Sequence, residues 1–131
     1  MSDAPADAIV LLAHGSPDPE WMAPVERAAA LLRARAPDRA VRTATLEHGP
    51  ALPAALASLP AAAREVAVIA FFLSPGGKHV KRDLPALVAA TQAQFPGLRL
   101  RLAPGAIGCD EIVLAALADA ALRRAGLADI P

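Results

Sequence analysis

The sequence predicts an α/β fold in three layers, a four-stranded and mainly parallel sheet with helices on both faces. Two apolar runs, Ile9–Ala13 and the run within Glu65–Leu73, have the pattern of strands buried on both faces. Helix-length segments with apolar residues near the 3.6 period alternate with the strand segments, so the chain reads as four βα units. Such an order implies right-handed crossovers and a parallel sheet. Ligands of open parallel sheets bind outside the carboxyl ends of the strands.

In chain order, residues 1–7 read as a frayed start and Ile9–Ala13 as the first strand. The turn-rich His14-Gly15-Ser16-Pro17-Asp18-Pro19 follows, then a helix from Glu20 to Ala36 with Trp21, Val25, Ala28, Leu31 and Leu32 as its apolar stripe. Pro24 lies near its first turn, where proline is tolerated, and Pro37-Asp38 ends it. Ala40–Leu46 alternates and suits a strand nearer the edge. Glu47-His48-Gly49-Pro50 breaks it, and Ala51–Arg64 reads as helix. The third strand, Glu65–Leu73, leads into a Ser74–Arg82 loop. Asp83 is placed to cap a helix over Leu84–Phe95, with Pro85 early in it. Leu98–Ala103 alternates Leu and Arg, a fourth strand with one wet face; Pro104–Gly108 reads as loop and Cys109–Ala125 as an amphipathic helix ending at Gly126.

Composition narrows the function. A chain of 131 residues, 55% hydrophobic and 20% charged, suits one domain over residues 1–131 with a substantial core. Thirteen Lys and Arg balance thirteen Asp and Glu, so no basic field suggests nucleic acid. A single cysteine builds neither an internal disulfide nor a multi-thiolate zinc site. No apolar run nears the roughly 20 residues that span a bilayer. The acidic N-terminus lacks the pattern of a signal peptide. The expectation is a cytoplasmic protein, with neither membrane nor nucleic acid as partner.

Two histidines fall at or just past the carboxyl ends of strands. His14 either merely ends its strand or, beside Gly15 and the Ser16 hydroxyl, binds metal or exchanges a proton. His79 follows Pro75-Gly76-Gly77 and stands among Lys78, Lys81 and Arg82. Those cations are either a solvated face or a site for phosphate or polycarboxylate. Nearby positive charge favours neutral imidazole, the form that ligates metal or accepts a proton. Glu47 and His48 close the second strand and could face the same crevice. Cys109 reads either as a thiol activated at a helix start or as a small core-facing residue. The chain has no Gly-x-Ser-x-Gly elbow, no P-loop and no Gly-x-Gly-x-x-Gly after its first strand. Ala13 stands where phosphohistidine enzymes need an arginine.

Strand-His14-Gly15-Ser16, then Phe72-Leu73, a glycine loop and His79-Val80-x-x-Asp83-Leu84-Pro85, resembles the small class II chelatases, the sirohydrochlorin cobalto- and ferrochelatases of the CbiX/SirB type. Leu46-Glu47 and Gly108 also fit, and the similarity covers about residues 8–125. The chain departs at Ala70 and Pro17, where the family often has proline and arginine. The resemblance implies a chelatase-like domain, one half of a two-lobed class II chelatase. Its activity would be ATP-independent insertion of a divalent metal into sirohydrochlorin or a related tetrapyrrole, in cobalamin or siroheme biosynthesis. His14 and His79 would hold the metal, which is the substrate (Co²⁺, Fe²⁺ or Ni²⁺), one histidine would accept a proton, and Glu47 would serve as ligand or relay. Ser16, Gly76, Gly77, Lys78, Lys81 and Arg82 would meet the tetrapyrrole. No organic cofactor is implied, and a homodimer would bring two halves together. The competing expectations are a non-catalytic metal- or tetrapyrrole-binding protein on this fold, and a metal-free acid–base enzyme for a phosphate or carboxylate ligand.

Overall fold

The computed structural model describes residues 5–74 and 78–127, the side chains of Lys78, His79 and Val80 excepted. The sheet carries four strands, β1 (Ala8–Ala13), β2 (Ala40–Thr45), β3 (Glu65–Ala70) and β4 (Arg99–Ala106), all parallel in the order β2-β1-β3-β4. The two apolar strands occupy the centre and the two alternating ones the edges, as their patterns require. From β1 the chain steps one way to β2 and then back across to β3. The carboxyl ends of β1 and β3 therefore flank a topological switch point, where open sheets form their ligand crevice.

Four α-helices connect and follow these strands: α1 (Ala23–Arg35), α2 (Leu52–Ala57), α3 (Lys78–Gln94) and α4 (Glu111–Arg124). The sheet separates two cores. On one face Val10, Leu12, Val66 and Val68 pack under Leu52 and Leu56 of α2 and Leu84 and Val88 of α3. On the other, Leu11, Ala13 and Val41 pack under Val25 and Ala29 of α1. Alternation along each strand divides the two sets, because successive side chains point to opposite faces.

Several boundaries differ from expectation. A 3-10 turn, Pro19–Met22, capped by the Asp18 carboxylate on the Glu20 amide, precedes α1. It turns Trp21 outward, and Leu31 is also exposed, so α1 buries Val25 and Ala29 instead. The segment expected to be helical to Arg64 leaves the helix after Ala57. Ser58 donates its hydroxyl to the Ala55 carbonyl, while the Arg42 guanidinium donates to Ser58 Oγ at 2.8 Å and Ser58 O at 2.9 Å. Pro60 then disfavours helix at Leu59. Further along the chain, α3 starts at Lys78 rather than near Asp83, so Asp83 is no cap and Pro85 lies inside the helix. The expected loop at Pro104–Gly108 is a bulge instead. β4 swings out at Pro104 and Gly105 and returns to pair Ala106 with Ala70. Gly105 adopts φ +72°, and Pro104 needs no ladder partner on an edge strand.

Candidate functional site

The register of β1 on β2 sets Ala13 beside Thr45, so the residues just past both strands emerge as neighbours. Backbone hydrogen bonds fasten them. The Leu46 amide donates to the carbonyls of Ala13 (3.0 Å) and His14 (3.2 Å), and the Glu47 amide donates to His14 O at 3.1 Å. Gly15 makes this approach possible: it adopts φ +93°, and a Cβ there would overlap the Glu47 carbonyl oxygen. Beneath the loop, buried Thr45 holds Pro50 through its amide, 2.7 Å from the Pro50 carbonyl, and Gly49 leaves room for the Thr45 side chain.

The side chains follow from this stitching. His14 Nδ1 lies 3.4 Å from Glu47 Oε1, and His48 Nε2 lies 3.6 Å from Glu47 Oε2. One carboxylate therefore stands between two imidazoles, all about half exposed. His14 Nδ1 is also 3.3 Å from the Gly15 carbonyl oxygen. His48 holds φ 62°, a left-handed conformation uncommon outside glycine and concentrated at functional sites. Both separations exceed ordinary charge-assisted hydrogen bonds. Among the described residues no three His, Cys, Asp or Glu side chains converge as a metal cage.

Ser16 turns inward locally, its hydroxyl accepting from the Asp18 amide at 3.1 Å. Gly76 and Gly77 lie outside the described residues. Lys78 and His79 fall in the first turn of α3, their side chains outside the described set. Lys81 and Arg82 follow on the same helix and are exposed. Beyond the ends of β3 and β4, Ala70, Phe72, Leu84, Pro85 and Leu102 line an apolar hollow of about 340 Å³ together with Lys81. Sequence reasoning passed over this hollow, since its lining comes from three separate segments. Gly108 is seated against the end of the third-strand segment: its amide donates to Phe72 O at 2.8 Å, and a Cβ would strike the Leu73 backbone. Cys109 is exposed, not core-facing, because the 3-10 turn Ile107–Cys109 lifts it off the sheet.

Fold and site together define an open α/β protein whose carboxyl edge carries an imidazole–carboxylate pair beside an apolar hollow. The chain belongs to the CbiX family, whose model matches residues 8–124. It is also similar to a protein described as a CbiX protein of cobalamin (vitamin B12) biosynthesis from Marinobacter aquaeolei VT8, with TM-score 0.78, 26% identity, and coverage of 91% of this chain and 97% of that one. No curated protein matches the chain. Membership in the family implies a chelatase related to cobalamin biosynthesis, with a divalent metal as substrate. No helix among the described residues is long and apolar enough to cross a membrane.

Proposed function

We propose that the protein inserts Co²⁺, Fe²⁺ or Ni²⁺ into sirohydrochlorin or a closely related tetrapyrrole, without ATP. The observation that carries this reading is the His14–Glu47 pair, fixed by backbone at the carboxyl edge beside the switch point. Metal insertion breaks two pyrrole N–H bonds while the ion replaces the two protons and keeps its charge. The site must therefore present the ion and accept protons. Imidazole suits both tasks for these metals.

His14 and His79 present the metal in this scheme; once the metal has left it, His14 takes one pyrrole proton, passes it on, and then takes the second. Glu47, 3.4 Å away, stabilises the imidazolium and receives the proton in turn; His48, on the other carboxylate oxygen, opens a route to solvent. The apolar hollow, which Lys81 helps to line, accepts one side of the macrocycle; Lys78, Lys81 and Arg82 serve its carboxylates in this scheme, and Ser16, Gly76 and Gly77 complete the proposed set of substrate-binding residues. From β1 to β4 is two strand spacings, about 10 Å, the scale on which a macrocycle spans hollow and histidine together. A second copy supplies the opposing wall, and the reaction is placed in the cytoplasm.

The deciding experiment is a visible-absorbance assay of sirohydrochlorin with each metal, against an enzyme-free control, for the natural chain, His14→Ala and His79→Ala. Multiple turnovers that vanish in both variants are expected. Rates equal to the spontaneous reaction, with binding retained, would establish a non-catalytic metal- or tetrapyrrole-binding protein instead.

A further inference from the structure

Before the last helix, the exposed large apolar side chains among the described residues are Trp21, Leu31, Leu46 and Leu73. Leu31 lies along α1, whereas the other three stand in the segments that leave the carboxyl ends of β1, β2 and β3. A single exposed leucine is ordinary. Leu46 and Leu73 differ in how their backbone is held. The Leu46 amide donates to the carbonyls of Ala13 (3.0 Å) and His14 (3.2 Å). Leu73 follows a ladder that continues past β3, where the Phe71 amide donates to Leu12 O at 2.8 Å, and Gly108 is seated on its backbone. Neither side chain belongs to either core, so fixed backbone presents apolar surface to solvent, 37% exposed at Leu46 and 74% at Leu73.

Their place differs too. The order β2-β1-β3 puts His14 between them. His14 follows the Ala13–Thr45 pair at the level of Leu46, and the Leu12–Ala70 pair sets Leu73 one residue beyond that level. The two leucines are thus about two strand spacings apart, roughly 10 Å, on either side of the histidine. Phe72, next to Leu73, lines the apolar hollow, so the apolar surface continues from Leu73 into it.

We propose that Leu46 and Leu73 form a bed on which the tetrapyrrole lies by one of its faces, with the ring centre over His14. This rests on the proposed chelatase function and adds to it a pose and the residues that set the pose. The chemistry of the guest leaves one orientation. The rim of a sirohydrochlorin-like macrocycle carries carboxylates, whereas its two faces are apolar. Leucines beside the Glu47 carboxylate are poor neighbours for that rim and good ones for a face. An ion reaches the four pyrrole nitrogens only through a face, so the bed aims the macrocycle as metal insertion requires. Lys81, at the hollow, then meets carboxylates along one edge.

The test follows metal-free sirohydrochlorin by quenching of Trp21, the chain's only tryptophan, and then turnover with Co²⁺. It compares the natural chain with Leu46→Ser, Leu73→Ser, Leu46→Met, Leu73→Met and Leu31→Ser, the last about 12 Å along α1 from its start. Leu46→Ser and Leu73→Ser should each weaken metal-free binding, and raise the KM for the macrocycle, roughly tenfold. The kcat and the KM for Co²⁺ should hold within about twofold, because a face contact serves ground state and transition state alike. The methionine variants should restore binding, and Leu31→Ser should match the natural chain. The loss should be equal at low and high salt, unlike the loss of a charged contact. Melting curves check that each variant is folded, and either leucine alone decides if the other variant is not. Serine variants that bind and turn over like the natural chain would overturn the bed and leave the chelatase standing. A fall in kcat with binding and KM unchanged would overturn it as well. Binding that depends on the leucines in a chain without turnover would sustain the bed and remove only the catalysis. A natural chain that binds no sirohydrochlorin, with or without metal, would overturn both.

Discussion

Glu47 is tied to His14 twice, by its amide on the His14 carbonyl at 3.1 Å and by its carboxylate 3.4 Å from the His14 ring. The backbone bond fixes where the carboxylate begins, so its reach to the imidazole does not depend on a flexible loop. That relationship is open to direct test.

Replacing Glu47 by Gln keeps size and the backbone bond but removes the charge that stabilises a protonated His14. The expected outcome is a loss of metal insertion of roughly a hundredfold, in the range of general acid–base effects. Thermal stability should barely change, because the side chain is 54% exposed. Initial rates of absorbance change with Co²⁺, beside a melting curve, check both halves.

Gly15→Ala should be among the most damaging single-methyl additions in the chain. At φ +93° an L-residue costs roughly 1–3 kcal/mol by itself. The new Cβ must in addition push the Glu47 carbonyl away, unfastening the two strand ends. Urea unfolding should show a loss above about 2 kcal/mol, with activity lost even where the variant is folded.

At His48 the comparison is between two replacements. Glycine relieves the left-handed strain at φ 62°, whereas alanine keeps it. His48→Gly should therefore be more stable than His48→Ala by about 1 kcal/mol in denaturant titrations. Equal stabilities would show that the loop relaxes out of this conformation when the imidazole is removed.

Gln92 joins the end of α3 to the start of β4. Its Nε2 donates to Phe95 O (3.0 Å) and Leu98 O (2.8 Å), and its Oε1 accepts from the Leu100 amide at 2.8 Å. Gln92→Ala should cost about 1–3 kcal/mol. Gln92→Glu should be no better, since it sets a carboxylate oxygen against two carbonyls. Urea titration of both variants distinguishes the lost bonds from simple loss of side-chain bulk.

Most of the sheet was legible in the residues. The apolar runs Ile9–Ala13 and Val66–Ala70 form the two central strands, and the alternation of β2 marked it as nearer the edge, while that of β4 marked one wet face. The helix limits were less so. The early end of α2 depends on Arg42 reaching Ser58 from a neighbouring strand, a contact between residues sixteen apart that local propensity does not encode. Asp83-Leu84-Pro85 has the appearance of a helix start, yet helix already runs through Lys78–Arg82. Trp21 and Leu31 fit the periodic stripe of α1 but fall outside the strip that β1 and β2 cover.

For the site, strand ends alone indicated that His14 and Glu47 would be neighbours, because residues that close adjacent parallel strands meet when the register is even. The carboxylate's place between His14 and His48 was not legible. It depends on the positive φ of His48 and on the bare Cα of Gly15, and both are tertiary outcomes. The expectation of Cys109 as a small core-facing residue fails for a related reason. A three-residue 3-10 turn between β4 and α4 reorients everything after it.

Pro85 has a consequence for motion. Lacking an amide proton, it cannot tie its turn of α3 to the carbonyl four residues earlier. The helix is thereby divided into a front segment beside the hollow and a rear segment anchored by Val88 and the buried Thr91. Sub-global opening of the front segment breaks fewer bonds than opening the rear. Amide hydrogen exchange should accordingly be faster before Pro85 than after it. The cation-bearing wall can then adjust around a bulky planar guest while the core beneath stays closed.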